Sequence, residues 1–128
     1  MGLKPTFQGR LIAIGGKEDK ADDLVVLKRV VQEVGTTNYK VGVITTASEN
    51  PKQRGEDYSN VFTSLGASSV EIFNIGSRAQ ANDKILAKTL EGVDLVFITG
   101  GDQLRLTTIL GGSLILQAIA VRLGDIAQ

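Results

Sequence analysis

No histidine and no cysteine occur in this chain, and these two absences exclude a good deal of chemistry. Without histidine, its own residues cannot assemble a Ser–His or Cys–His nucleophile pair or a histidine-ligated metal site. Without cysteine there is no disulfide, no thiolate nucleophile and no cysteine-ligated metal, which fits a reducing compartment. Charge of either sign is not in excess: 14 Lys and Arg stand against 14 Asp and Glu. That balance gives no electrostatic reason to expect nucleic acid or an anionic membrane as partner. No apolar run approaches the roughly 20 residues of a membrane span. The first residues, Met1 to Gln8, lack the apolar core of a signal peptide. A cytoplasmic protein without metal or cofactor is expected.

What is present suits one α/β domain. A chain of 128 residues with 42% hydrophobic residues can bury a real core. Four short apolar runs stand out: Arg10 to Ile14, Lys40 to Thr45, Ser69 to Phe73 and Asp94 to Thr99. They are rich in β-branched residues and closed by glycine or turn residues, so they read as strands buried on both faces. Amphipathic stretches lie between and after them. The first opens at Asp22 or Asp23 and runs to Val34, before Gly35. The second starts at Asn50-Pro51, where Asn suits an N-cap and Pro the first helical position, and ends at Leu65-Gly66. The third spans about Asn82 to Leu90. A fourth covers Gln103 to Leu110, and a last one runs from Ser113 to about Leu123. This βα alternation predicts a parallel sheet with helices on both faces.

Ligands of such sheets sit at the carboxyl ends of the strands, which directs attention to three loops. Gly15-Gly16-Lys17-Glu18-Asp19 is neither a Walker loop nor a dinucleotide fingerprint, and reads first as a tight turn with acidic capping. In Thr45-Thr46-Ala47-Ser48-Glu49-Asn50, Ser48 has an acidic neighbour but no evident base, so turn and cap chemistry is favoured. Arg54, Glu56, Asp57 and Arg78 read as solvated surface. Gly100-Gly101-Asp102-Gln103-Leu104-Arg105 is the most informative segment. Two glycines after the most apolar strand present bare amides that can stabilise an oxyanion. Gln103 supplies a donor and an acceptor, and Arg105 can hold a carboxylate. A plain βα turn with Asp102 capping the next helix explains the segment equally well.

Three segments together resemble one family. Gly9-Arg10-Leu11-Ile12-Ala13-Ile14-Gly15-Gly16 with Glu18-Asp19-Lys20, Thr46-Ala47-Ser48-Glu49 with Gly55-Glu56-Asp57-Tyr58, and Phe97 to Leu106 occur in that order. The pattern is similar to the cyanophycinases, which belong with the dipeptidase E-like serine peptidases. The resemblance runs from about Gly9 to about Val121. It implies a flavodoxin-like three-layer parallel sheet of the class I glutamine amidotransferase type. It implies an activity that degrades cyanophycin, polyaspartate carrying arginine, to β-aspartyl-arginine dipeptides. Gly100 and Gly101 match the oxyanion-hole glycines, and Gln103 a residue lining the substrate pocket. Gly15, Gly16 and Asp19 match a motif at the rim of the site. Asp102 and Arg105 match family letters of a structural kind.

The same resemblance places the nucleophile in a GTSAGA elbow on the next strand, with the histidine and its acidic partner beyond it. The sequence ends at Gly124 to Gln128, where that strand would begin. Residues 1–128 are therefore expected to be the N-terminal part of one hydrolytic domain, inactive alone. In a 2-1-3-4-5 order the missing fifth strand would pair with the fourth. Asp94 to Thr99 would then be an exposed apolar edge, prone to self-association or homodimer formation. Two competing readings remain at this level. One is a non-catalytic module that binds aspartyl-arginine peptides or a partner subunit. The other is a flavodoxin-like nucleotide or flavin binder, against which the acidic first loop argues.

Overall fold

The computed structural model describes residues 11–14, 25, 27–29, 31, 32 and 38–119. Four parallel strands form one sheet: β1 (Leu11–Ile14), β2 (Lys40–Ile44), β3 (Ser69–Phe73) and β4 (Leu95–Ile98). Helix α1 (Pro51–Ser64) joins β2 to β3, and α2 (Arg78–Ala81) and α3 (Lys84–Glu91) join β3 to β4. Helix α4 (Gln103–Leu110) follows β4. Residues 25, 27–29, 31 and 32 are helical, as are 114–119. The far ends of those two expected helices, with Arg10, lie outside the described residues.

Alternation along the two central strands makes the three layers. Val41, Val43, Leu95 and Phe97 face one side, where they pack with Leu27 and with Tyr58 and Phe62 of α1. Phe97 stacks against both aromatic rings, at centroid distances of 4.6 Å to Tyr58 and 5.6 Å to Phe62. Ile44, Phe73, Val96 and Ile98 face the other side, with Ala87 and Leu90 of α3, Leu110 of α4 and Ile115 and Ile119 beyond it. All four residues of β4 are buried, as are the last four of β2. Every strand residue of that kind removes apolar surface from water on one face while its neighbour does so on the other.

The strand order is β1-β4-β2-β3, which corrects one expectation. Strand β4 is not an edge: it pairs with β1 on one side and β2 on the other. The exposed apolar edge foreseen at Asp94 to Thr99, and self-association through it, therefore has no basis in this sheet. Taking β2 as first strand, β3-β2-β4 follows the 2-1-3 part of the flavodoxin order, and β1 occupies the place beyond it. Strand β3 is an edge and is mostly exposed, so it is not buried on both faces as its composition suggested.

Helix ends follow local chemistry with two departures. Helix α1 carries Pro51 in its first turn as expected, yet the Asn50 side chain makes no capping bond. It closes in a Schellman pattern: Ala67 N–H donates to Phe62 O at 3.0 Å and Gly66 N–H to Thr63 O at 3.1 Å, with Gly66 at φ +106°. The helix expected from about Asn82 to Leu90 is α3, and the short α2 before it was not foreseen. Asn82 ends α2, and the Asp83 carboxylate starts α3 by accepting from Ile85 N–H and Leu86 N–H.

Candidate functional site

The chain reverses its sheet direction at β2, and that creates a crevice. The loop after β2 leads to α1 on one face. The loops after both neighbours, β3 and β4, lead to α2 and α4, which share the opposite face. Loops that leave adjacent strands in opposite directions open a gap at their carboxyl ends, where ligands of such sheets bind.

Threonines finish the two central strands. Thr45 N–H donates to Phe73 O at 3.2 Å and Thr99 N–H to Ile44 O at 3.0 Å, so each extends its ladder by one step. The Thr45 hydroxyl also bridges to the Asn74 side chain. Beyond Thr99 the chain turns through Gly100 and Gly101. Gly101 sits at φ +143°, and a Cβ there would lie 2.1 Å from Ala47 O. No residue but glycine fits. The close approach lets Asp102 N–H donate to Ala47 O at 2.8 Å. Asp102 Oδ1 accepts from Arg105 N–H at 3.1 Å and caps α4. Arg105 Nη1 reaches back to Ser48 O at 3.4 Å. The 100–105 segment is thus latched to the 47–48 loop by one packing contact and two hydrogen bonds.

This arrangement brings together much of what the sequence singled out. Gly100 is half-buried and Gly101 exposed, and neither amide has a hydrogen-bond partner among the described residues. Asp102 performs the capping expected of it. Gln103 is exposed at the first position of α4, outside the lining of the adjacent cleft. Gly15, Gly16 and Asp19 lie outside the described residues. Ser48 is buried, and its Oγ accepts from Asn50 N–H at 3.2 Å, as turn chemistry requires.

Other features escaped the sequence reading. A cleft of about 300 Å³ lies beside the latch, between the ends of β2 and β3 and helix α4, with Thr46, Ser48, Asn74 and Arg105 among its lining residues. The Thr46 hydroxyl is buried and has no hydrogen-bond partner among the described residues. Arg78, read as plain surface, is exposed but donates from Nη1 to Thr108 O at 2.9 Å, Gly111 O at 2.8 Å and Ile109 O at 3.4 Å. It holds the carboxyl end of α4, where a cation suits the helix dipole. Arg54 and Asp57 are half-buried and paired at 3.6 Å, not freely solvated. Two signals were available: a Thr-Thr pair closing a strand, and an arginine preceding a helix in a βα loop.

Similarity to known proteins settles the family. The model of peptidase family S51 matches residues 11–125. This chain belongs to peptidase family S51. Among S51-type relatives, the cyanophycinase of Geminocystis herdmanii is 31% identical over 126 residues, covering 97% of this chain and 46% of that protein. The cyanophycinase of Synechococcus elongatus is 36% identical over 103 residues, covering 80% and 32%. That of Trichormus variabilis is 34% identical over 112 residues, covering 88% and 38%. The chain spans less than half the length of these curated relatives. A solved peptidase from an acI-B1 Actinobacterium superposes with a TM-score of 0.60 at 16% identity, covering 88% of this chain and 49% of that one. That likeness supports the α/β fold. Among the described residues no helix is long and apolar enough to cross a membrane, and no group of three or more His, Cys, Asp or Glu is placed to hold a metal ion.

Proposed function

We propose that this S51 chain forms the oxyanion-binding and substrate-seating part of a serine-type hydrolase that degrades cyanophycin to β-aspartyl-arginine. The observation that carries the reading is Gly101. Its backbone and its contact with Ala47 O admit no side chain, and this fixes the turn that presents the Gly100 and Gly101 amides at the carboxyl edge of the sheet. Fixed donors of this kind stabilise the negative oxygen that appears when a hydroxyl attacks a carbonyl, because they need no reorganisation as charge develops. Gln103 stands beside them with both a donor and an acceptor. Asp102 and Arg105 hold the turn in place.

The attacking serine needs a base to take its proton. In a Ser–His pair that base is histidine, of which the 128 residues contain none; in this reading it comes from a segment outside them, and these residues alone are expected to bind without cleaving. A cytoplasmic setting accords with a cysteine-free chain. The test is release of β-aspartyl-arginine from cyanophycin, followed by chromatography. It compares this chain alone with the same chain extended by the remainder of a cyanophycinase relative. No release is expected from the first and steady release from the second. A folded extended protein that releases nothing, with no heat of binding for β-aspartyl-arginine to either form, would overturn the reading.

A further inference from the structure

The two sides of β4 are held unequally. Against β2 it is fixed along its length and beyond both ends. Val41 to Ile44 pair in register with Leu95 to Ile98. Before the strand, Asp94 N–H donates to Lys40 O at 2.8 Å, and Lys40 N–H donates to the Asp94 carboxylate at 2.9 Å. After it, Thr99 N–H donates to Ile44 O at 3.0 Å and Asp102 N–H to Ala47 O at 2.8 Å. Against β1, Leu11 to Ile14 pair with Leu95 to Ile98, and among the described residues no further bond extends that ladder. Strand β1 has β4 as its one neighbour among them.

The course of the chain points to the same side of β4. The connection from β3 runs through α2 and α3 on the face of Ile44 and Val96, and it carries the chain past β2, away from the β3 edge. After β4 the chain stays on that face, with Leu110 of α4, Ile115 and Ile119 in the same cluster. Parallel connections keep one hand, so a strand reached over this face moves the same way, to the side of β4 that β1 holds. Oxyanion chemistry limits how far it can go. A carbonyl under attack lies about 3 Å from both the nucleophile and the oxyanion donors, so these two are at most about 6 Å apart. Neighbouring strands are about 4.8 Å apart, and the next one over is about 10 Å away. A serine ending a strand beyond β1 is out of reach of the Gly100 and Gly101 amides, whereas one ending a strand paired with β4 is within it. We propose that the β4 edge covered by β1 in this chain is the docking surface for the nucleophile strand, which displaces β1 to reach it. The inference rests on the reading above for a serine that works with these two amides.

Disulfide trapping tests the exchange. Register partners on adjacent strands lie about 5 Å apart, within reach of a disulfide, and the chain has no cysteine of its own. Ile14→Cys with Ile98→Cys reports β1 beside β4, and Ile44→Cys with Ile98→Cys, the control, reports β2 beside β4. Leu11→Cys with Leu95→Cys, and Val41→Cys with Leu95→Cys, repeat the comparison at the other end of the strands should a first pair prevent folding. Each pair is made in the 128-residue chain and in the same chain extended by the remainder of a cyanophycinase relative, with the cysteines of the extension replaced by serine. Cross-links formed in a thiol–disulfide buffer are read by peptide mass spectrometry. Both pairs should cross-link most molecules of the short chain. In the extended protein the control should persist, and the β1 pair should fall to about a tenth or less, the share of a minor state. A β1 cross-link as complete in the extended protein as in the short one overturns the proposal, and so does its absence from the short chain. Loss of the control in a folded extended protein overturns it too, because β2 would then not be the fixed neighbour. The readout needs no substrate. An undiminished β1 cross-link with full release of β-aspartyl-arginine sinks the docking alone, and loss of that cross-link without release sinks the enzymatic reading alone.

Discussion

Replacing Gly101 by alanine should damage the protein far more than replacing another glycine of positive φ. The new Cβ would lie 2.1 Å from Ala47 O, where real Cβ atoms essentially never come within 3.0 Å. Relief requires the 100–102 turn to move by about 1 Å away from the 47–48 loop, which breaks the Asp102 N–H bond to Ala47 O. A residue held in a glycine-favoured conformation costs about 1–3 kcal/mol, and the lost hydrogen bond about 1 kcal/mol. Together these approach about 3 kcal/mol, or a fall in melting temperature of roughly 10–15 °C for a domain of this size. Gly66→Ala is the control. Gly66 has φ +106° but nothing within 4 Å of its would-be Cβ, so only the backbone term remains, about 1 kcal/mol and roughly 4 °C. Thermal unfolding followed by circular dichroism reads both variants under identical conditions. Melting temperatures that agree within about 2 °C would refute the packing argument, because the contact with Ala47 would then contribute nothing.

Three other substitutions follow from the same structure. Arg78→Ala should lower stability by about 1 kcal/mol by releasing the last carbonyls of α4, and Arg78→Lys should recover less than half; urea midpoints at wild-type level for both would contradict this. Asp102→Ala should cost about 1 kcal/mol through loss of the cap, whereas Asp102→Asn should cost a few tenths, so equal losses in the same denaturation assay would argue against capping. Burial raises the Tyr39 phenol above its usual range, and its hydroxyl donates to Leu65 O at 3.2 Å. A raised acid of this kind contributes stability that is whole below a pH of about 10 and is lost as pH climbs through the folded-state value. Urea midpoints of Tyr39→Phe should therefore fall less steeply than wild type in the alkaline range, and parallel curves would exclude Tyr39 as a cause.

The strands were legible in the sequence because apolar runs such as Lys40 to Ile44 and Leu95 to Ile98 admit little else. Their order was not. Whether β4 lies inside or at the edge depends on which face each crossover helix covers, and the packing of Phe97 on Tyr58 and Phe62 that fixes it pairs residues far apart in sequence. The exposure of β3 escaped for the same reason: Val70 and Ile72 suit an edge as well as a centre. Gly100-Gly101 attracted notice as a motif. Which glycine is obligatory could be known only once the 47–48 loop was seen against it. Thr46 had no distinguishing mark, since an unpaired hydroxyl is a property of surroundings and not of residue type. Arg78 is at the surface as read, but its bonds were not foreseen because its partners are main-chain carbonyls, which leave no charge pattern in the sequence.

The central claim is that Gly100 and Gly101 hold their amides without a hydrogen-bond partner among the described residues, at the carboxyl ends of the strands, while the neighbouring Asp102 amide is tied to Ala47. Hydrogen exchange of individual backbone amides in the folded 128-residue chain tests it without any substrate. The account predicts exchange near the unprotected rate at Gly100 and Gly101 and strong protection at Asp102. Protection at both glycines equal to that of Asp102 would show those donors already engaged, and would leave no oxyanion site in this turn.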